Sequence, residues 1–229
     1  MPSPEAAGLD SLLAEIAGEA EGKPFPLDRP AYAAAGREPL IPILFAGNLG
    51  AGLCVMGRDL GRQEVARGQP LCGAAGRNLR RGLFTHFFAR QPKDGAELDL
   101  VLSRVLLTNT VPFKPPGNKP YAPEVVERFR PFAERLLVRH WQGGDLITLG
   151  AGALAWFAPY GPEGAVAALA ADPERFVKSL EVEIRASFGG EVAAKTVRLS
   201  PLPHPSPLNV RYFKAFPTLL AARLAQLQG

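Results

Sequence analysis

Cysteine is scarce in this chain. Only Cys54 and Cys72 occur in 229 residues, which excludes a disulfide-stapled secreted scaffold and fits a reducing compartment, with both thiols buried as small apolar groups. Histidine is equally sparse, at three residues. No His/Cys/Asp/Glu cluster has ligand spacing, so no metal site is expected. No apolar run reaches the length of a membrane span. Pro4-Glu5-Ala6 leads into an amphipathic pattern rather than an apolar targeting segment. No Ser or Cys stands in a G-x-S-x-G elbow, and the glycine-rich turns match neither a dinucleotide fingerprint nor a P-loop. There is no internal repeat and no low-complexity tail. These absences predict a soluble, cytoplasmic protein that makes no use of a membrane.

What is present is an ordinary globular composition, 47% hydrophobic and 21% charged, able to bury a sizeable core. The length favours one domain, residues 1–229, with residues 1–50 as an N-terminal helical decoration. The formal charge is +4, which suits a nucleic-acid partner without requiring one, because phosphate affinity depends on clustering.

Twenty-three prolines and 24 glycines punctuate the chain. A first helix is expected over 3–18, capped by Ser3, with Leu9, Leu12, Leu13 and Ile16 on one face. A short second helix follows Asp28-Arg29-Pro30, and Pro39 to Gly50 reads as irregular. Apolar runs at 53–56, 101–108 and 145–149 read as strands, and 74–88 and 123–141 as helices. In the helix over 74–88, Arg77, Arg80 and Arg81 mark a basic side, whose usual meaning is a solvated face. Val182, Ile184 and Ala186 alternate with charges, as a half-exposed strand does. Gly189-Gly190 would turn it into a strand at 195–199. The alternation of strands and helices predicts an α/β fold: a three-layer αβα sandwich around a mostly parallel four-stranded sheet.

The stretch Leu202-Pro-His-Pro-Ser-Pro-Leu-Asn209 organises the rest. Its three prolines exclude helix interior and central strand, leaving a stiff loop that holds His204 beyond a strand end. In open α/β sheets ligands bind there; a rigid connector with a solvated histidine would look the same. Three further strand ends carry distinctive loops: Asp59, Asn109 and the turn over Gly150–Gly152. Parallel strands would bring all four to one crevice. A carboxylate there can orient or deprotonate water. An amide offers donor and acceptor to the edge of a base or amide, and an imidazole can stabilise a leaving anion.

These motifs, in order over roughly residues 50–225, resemble the uracil-DNA glycosylase superfamily. His204-Pro-Ser-Pro-Leu208-Asn209 is similar to its leucine-loop motif, and Gly57-Arg-Asp-Leu-Gly61 to its first motif. Leu107-Thr-Asn109 with the following Pro-Phe-Lys114-Pro-Pro-Gly-Asn118, and Arg67-Gly-Gln-Pro-Leu-Cys-Gly73, resemble two stretches of the thermophile-type (family 4) enzymes. The resemblance implies a monofunctional DNA glycosylase, a monomer that flips uracil from DNA and hydrolyses its N-glycosidic bond. Asp59 would activate water, and His204 would face uracil O2. Asn109 would read the base, with Leu71 and Gly61 lining its site. Leu208 would wedge into the stack, though it also reads as an ordinary surface leucine. Ser206, Pro205, Pro207, Asn209 and Lys114 would contact DNA.

The chain departs from that pattern at three places. Phe113 stands where family 4 has a cluster-ligating cysteine, and two thiols cannot fill a four-cysteine site, so no cofactor is expected. Leu71 replaces the aromatic that stacks on uracil, with Phe84 and Phe113 as candidate substitutes. Gly61 replaces the tyrosine that excludes thymine's methyl, so other deaminated bases or mismatched thymine could enter. A catalytically weak member that binds damaged or single-stranded DNA is the alternative. An unrelated small-molecule hydrolase would need a pocket without a basic rim.

Overall fold

The computed structural model describes residues 4–117 and 119–227. The expected Ser3 cap and Asn118 lie outside the described residues. In chain order the elements are α1 (Pro4–Gly22), α2 (Arg29–Ala34), β1 (Phe45–Gly47), β2 (Leu53–Gly57), α3 (Arg62–Arg67), α4 (Ala74–Phe88), β3 (Val105–Asn109) and α5 (Pro123–Arg135). Then come β4 (Asp145–Leu149), α6 (Ala151–Ala155), α7 (Ala165–Ala171), β5 (Leu180–Phe188), β6 (Glu191–Leu202), α8 (Val210–Phe213) and α9 (Phe216–Leu227). A 3₁₀ turn at Glu97–Ser103 precedes β3, and a π-helical turn at Leu136–His140 prolongs α5.

The sheet is six-stranded and mixed, ordered β1-β3-β2-β4-β6-β5, which corrects the four-stranded expectation. Its four central strands are parallel, and an antiparallel strand closes each edge. One edge is β1, inside the stretch read as irregular. It spans three residues, too few to show an alternation. The other edge is β5, whose alternation was legible and whose partner is β6 through the Gly189-Gly190 turn.

Successive residues of a strand face opposite sides, and the core divides accordingly. Cys54, Met56, Leu106 and Leu146 join Ala133, Leu154, Val166 and Leu169 from α5, α6 and α7. Val55, Leu107, Ile147 and Leu149 join Leu79, Leu83 and Phe84 of α4 and Phe216, Leu220 and Leu224 of α9. Helices therefore cover both faces. Leu12 and Ile16 of α1 are fully buried with Phe129 of α5 and Leu136 beyond its end.

The helix over Arg62–Arg67 has a polar sequence with no apolar stripe and was not legible. In the basic side read for α4, Arg77 and Arg81 are exposed as expected, but Arg80 is not: it is 1% exposed. No helix among the described residues is long and apolar enough to cross a membrane.

Candidate active site

Because β3, β2, β4 and β6 run parallel and in that order, their carboxyl ends lie along one edge of the sheet. Gly57 pairs with Asn109, and Leu149 with Leu202. The turn carrying Asp59, the Asn109 end, the Gly150 turn and the His204 loop thus emerge side by side. Hydrogen bonds tie neighbours together. Thr110 donates from its backbone to Gly57 and Arg58 carbonyls, and from its hydroxyl to Arg58 O at 2.7 Å. Gly150 N donates to Leu202 O at 2.8 Å. A β-carbon on Gly150 would sit 3.1 Å from the Cβ of His204, so the two loops touch.

Asn109 is 1% exposed, and both its Nδ2 and its Oδ1 are buried without a hydrogen-bond partner. An orphaned buried amide is costly, on the order of 1–3 kcal/mol per unpaired group, and such exceptions ask for a reason. Beside it lies Leu71, buried, with backbone φ of 52°. This left-handed conformation is uncommon for a leucine. It is enforced by neighbours. Arg80 Nε donates to Leu71 O at 2.9 Å and Nη2 to Pro70 O at 3.1 Å, while Asp99 pairs with the same guanidinium.

Glu64 holds the next two residues. Its carboxylate accepts from Cys72 N at 3.1 Å and Gly73 N at 2.7 Å, and from Gly61 N at 3.1 Å. One buried carboxylate therefore joins the turn that bears Asp59 to the turn that bears Leu71. Side chains at Gly61 or Gly73 would begin 2.5 Å and 2.8 Å from Glu64 oxygens. Glu64 and Arg80 were both missed as site-building residues. The available signal for Glu64 was its place three residues into a helix that begins after Gly61, where a carboxylate reaches back to the helix start.

Asp59 is paired with Arg58, Nε to Oδ2 at 2.5 Å. Loss of hydration nevertheless dominates and pushes its carboxyl above the ordinary range, against the pull of Arg58 and Lys114. Tyr121 has a buried hydroxyl without a partner. Its pKa is raised by burial first, then by the neighbouring Tyr32, Asp59 and Asp28. His204 keeps an open face to solvent. The protein mass around it is the main cause, and the Arg58 charge the second, that hold its imidazole below the usual histidine range. Arg58 thus pairs with the acid and its charge is felt by the imidazole, and its stem is so close to Gly152 that a β-carbon there would meet Cδ at 2.5 Å.

The loop beyond His204 braces itself. Leu208 N donates to Ser206 Oγ at 3.2 Å, Asn209 Nδ2 to His204 O at 2.9 Å, and Asn78 Nδ2 to Pro205 O at 3.4 Å. Pro205 is buried and Pro207 exposed. Leu208 stands 86% exposed at the crest, an unusual place for a large apolar side chain held on a rigid turn.

Lys114 is a correction. It is 1% exposed, paired with the Asp28 carboxylate at 2.8 Å and donating to the carbonyls of Pro115 and Gly117. It faces no solvent-borne phosphate. Phe84 and Phe113 are fully buried as well. Phe84 packs in the core shared by α4 and α9, and Phe113 against Phe25 and Phe129, so neither offers a free face to a base. The residues present do not fit a four-cysteine cluster. Cys54 is buried in β2, Cys72 donates to Gln63 and Gln69 carbonyls, and the Phe113 ring fills its own apolar niche.

A search among curated proteins returned no match. The model of the uracil DNA glycosylase superfamily matches residues 45–228, the span that holds the sheet and every loop of the site, and the chain therefore belongs to that superfamily.

Proposed function

We propose that this protein excises uracil from DNA as a monofunctional glycosylase, leaving an abasic site. The observation that carries the reading is the Asn109 amide, buried with donor and acceptor both unclaimed at the carboxyl edge of the sheet. A pyrimidine edge with an N–H beside a carbonyl satisfies such an amide. Inside a duplex that edge is unreachable, so the nucleotide must be extruded. Leu208, rigid and exposed, suits the space the base vacates. Bond cleavage leaves an anionic base and a cation-like sugar. A neutral His204 hydrogen-bonded to the base and an anionic Asp59 near the sugar stabilise both halves, and Asp59 orients the attacking water. Ser206 and the loop amides would grip the backbone. The proposed partner is uracil-containing DNA, met by a cytoplasmic monomer.

A second reading has its own support. Leu71 packs so tightly against Gly57 that a β-carbon there would lie 2.9 Å from its Cδ2, and the Asn109 amide is fully enclosed. A member that binds DNA with weak or no excision would look like this. A labelled uracil-containing oligonucleotide, treated with alkali after incubation, separates the two. Strand cleavage that disappears in Asp59→Ala and His204→Ala supports the enzyme. Retention of the oligonucleotide without cleavage supports the binder.

A further inference from the structure

His204 and Asn209 also line a space that neither Asp59 nor Asn109 reaches. A cavity of about 240 Å³ opens there, floored by Pro201, Leu202 and Pro203 and walled by Arg175, Phe176 and Tyr212. The Phe176 and Tyr212 rings meet edge to face, 5.2 Å between centroids. The Arg175 guanidinium carbon lies 4.5 Å from the Phe176 centroid, and its Nη2 donates to Tyr212 Oη at 3.1 Å. All three side chains are partly open to solvent. Arg175 Nη1 also donates to the Asp172 carbonyl at 3.0 Å; the Asp172 carboxylate feels its charge but is paired with Lys178 at 2.7 Å, and no ion pair to Arg175 is found among the described residues. The Phe176 face is covered by Arg175, while Arg211 approaches the Tyr212 ring at 5.0 Å; an aromatic ring among such cations is the chemistry that holds an unpaired nucleotide, the base stacking on the ring and the phosphate meeting a guanidinium.

We propose that this cavity is a subsite for a nucleotide adjacent to the extruded one, its base against the Tyr212 ring and its phosphate toward Arg175. His204 and Asn209 line the cavity, so it is continuous with the catalytic loop. Neither Asp59 nor Asn109 lines the cavity, so a nucleotide held there is a neighbour of the one read by Asn109. The inference rests on the DNA reading of the Asp59, Asn109 and His204 loops.

The test uses wild-type protein and single-stranded oligonucleotides in which the base on either side of uracil is replaced by a tetrahydrofuran spacer. The spacer at one neighbouring position should raise KM about 10-fold with kcat unchanged, the size of one lost stacking contact. Tyr212→Ala should raise KM on the intact strand by the same factor and add nothing on the spacer strand. Unchanged KM at both positions, or effects of spacer and Tyr212→Ala that multiply, would overturn the subsite. Should the wild-type protein release no uracil, the excision reading fails on its own. Fluorescence anisotropy of the same strands then decides the subsite: an affinity loss from the spacer that Tyr212→Ala abolishes supports it, and equal affinities overturn it.

Discussion

Asn109 and Gly57 stand opposite each other at the ends of adjacent parallel strands, and a β-carbon on Gly57 would come within 2.5 Å of the Asn109 side-chain oxygen. Glycine here is a matter of space beside the amide. Gly57→Ala must displace Asn109 Oδ1 and the Leu71 methyl, both ends of side chains. A displacement near 1 Å in a reading group costs about 10²-fold, so kcat/KM for uracil release should fall by that order. Thermal unfolding should show only a modest loss, roughly 1–3 kcal/mol as for other overpacked sites. Unaltered kcat/KM would mean that Asn109 does not read the base.

Asp59 gives a pH signature. Its carboxyl is held above its ordinary 3.8 chiefly by burial, so its contribution favours the fold most when protonated and is lost as pH rises through the folded value. At about pH 7 the ionised side chain costs stability. Asp59→Asn should therefore raise Tm at neutral pH while destroying excision, and the gain should shrink to nothing in acid. A Tm that falls at neutral pH would show that the Arg58 pair outweighs desolvation.

For His204 the sign is opposite. Its imidazole, open to solvent on one face, is held below 6.5 first by the loss of hydration on its protein-facing side and then by the Arg58 charge. The stability it contributes is complete above 6.5 and disappears as pH falls through the lower folded value. Excision should share that acid limb, because protonation of either His204 or Asp59 removes a required form. A pH–rate profile of single-turnover cleavage, with His204→Asn as comparison, reads this directly. The limb contributed by the imidazole should be absent from the variant's residual rate.

Leu208 is a probe of extrusion alone. Being almost fully exposed, its loss should change stability by less than about 0.5 kcal/mol. Leu208→Ala should nevertheless slow excision from duplex DNA by about 10-fold and affect single strands far less, since only the duplex needs a wedge to offset unstacking. Equal effects on both substrates would assign the side chain to general contact.

The strands that place these groups were legible because short apolar runs ended in glycine or in polar residues that strands do not favour: Gly57, Asn109 and Gly150. Their parallel direction, though not their order in the sheet, followed from the intervening helices. What escaped was the meaning of charge. Lys114, Arg80 and Glu64 carry charges that normally face water, and apart from the helix-start position of Glu64 nothing local in the sequence marks them as held inside. Asp28, Asp99 and the amides of Gly61, Cys72 and Gly73 neutralise them. Those partners are brought close by tertiary structure or by turns whose shape the fold imposes. The same blindness applies to Leu71, whose positive φ is enforced by Arg80 from another element.

Lys114 puts that lesson to the sharpest test. As a phosphate contact, its removal would weaken binding to all DNA and reduce the slope of log affinity against log salt by about one. As the buried partner of Asp28, its removal leaves an uncompensated carboxylate inside, at about 3–5 kcal/mol. The Asp28 carboxyl is held below its ordinary 3.8 first by the Lys114 hydrogen bond, so the stability it lends is present above 3.8 and lost as pH falls through the lower value. Lys114→Met should therefore unfold the protein at markedly lower urea near neutral pH, and the deficit should narrow in acid. Lys114→Met combined with Asp28→Asn should recover part of the loss, since the stranded charge is gone. In that double variant, if folded, the salt slope for DNA should equal that of the wild type. A reduced slope with unchanged stability would return Lys114 to the DNA face and contradict the burial described above.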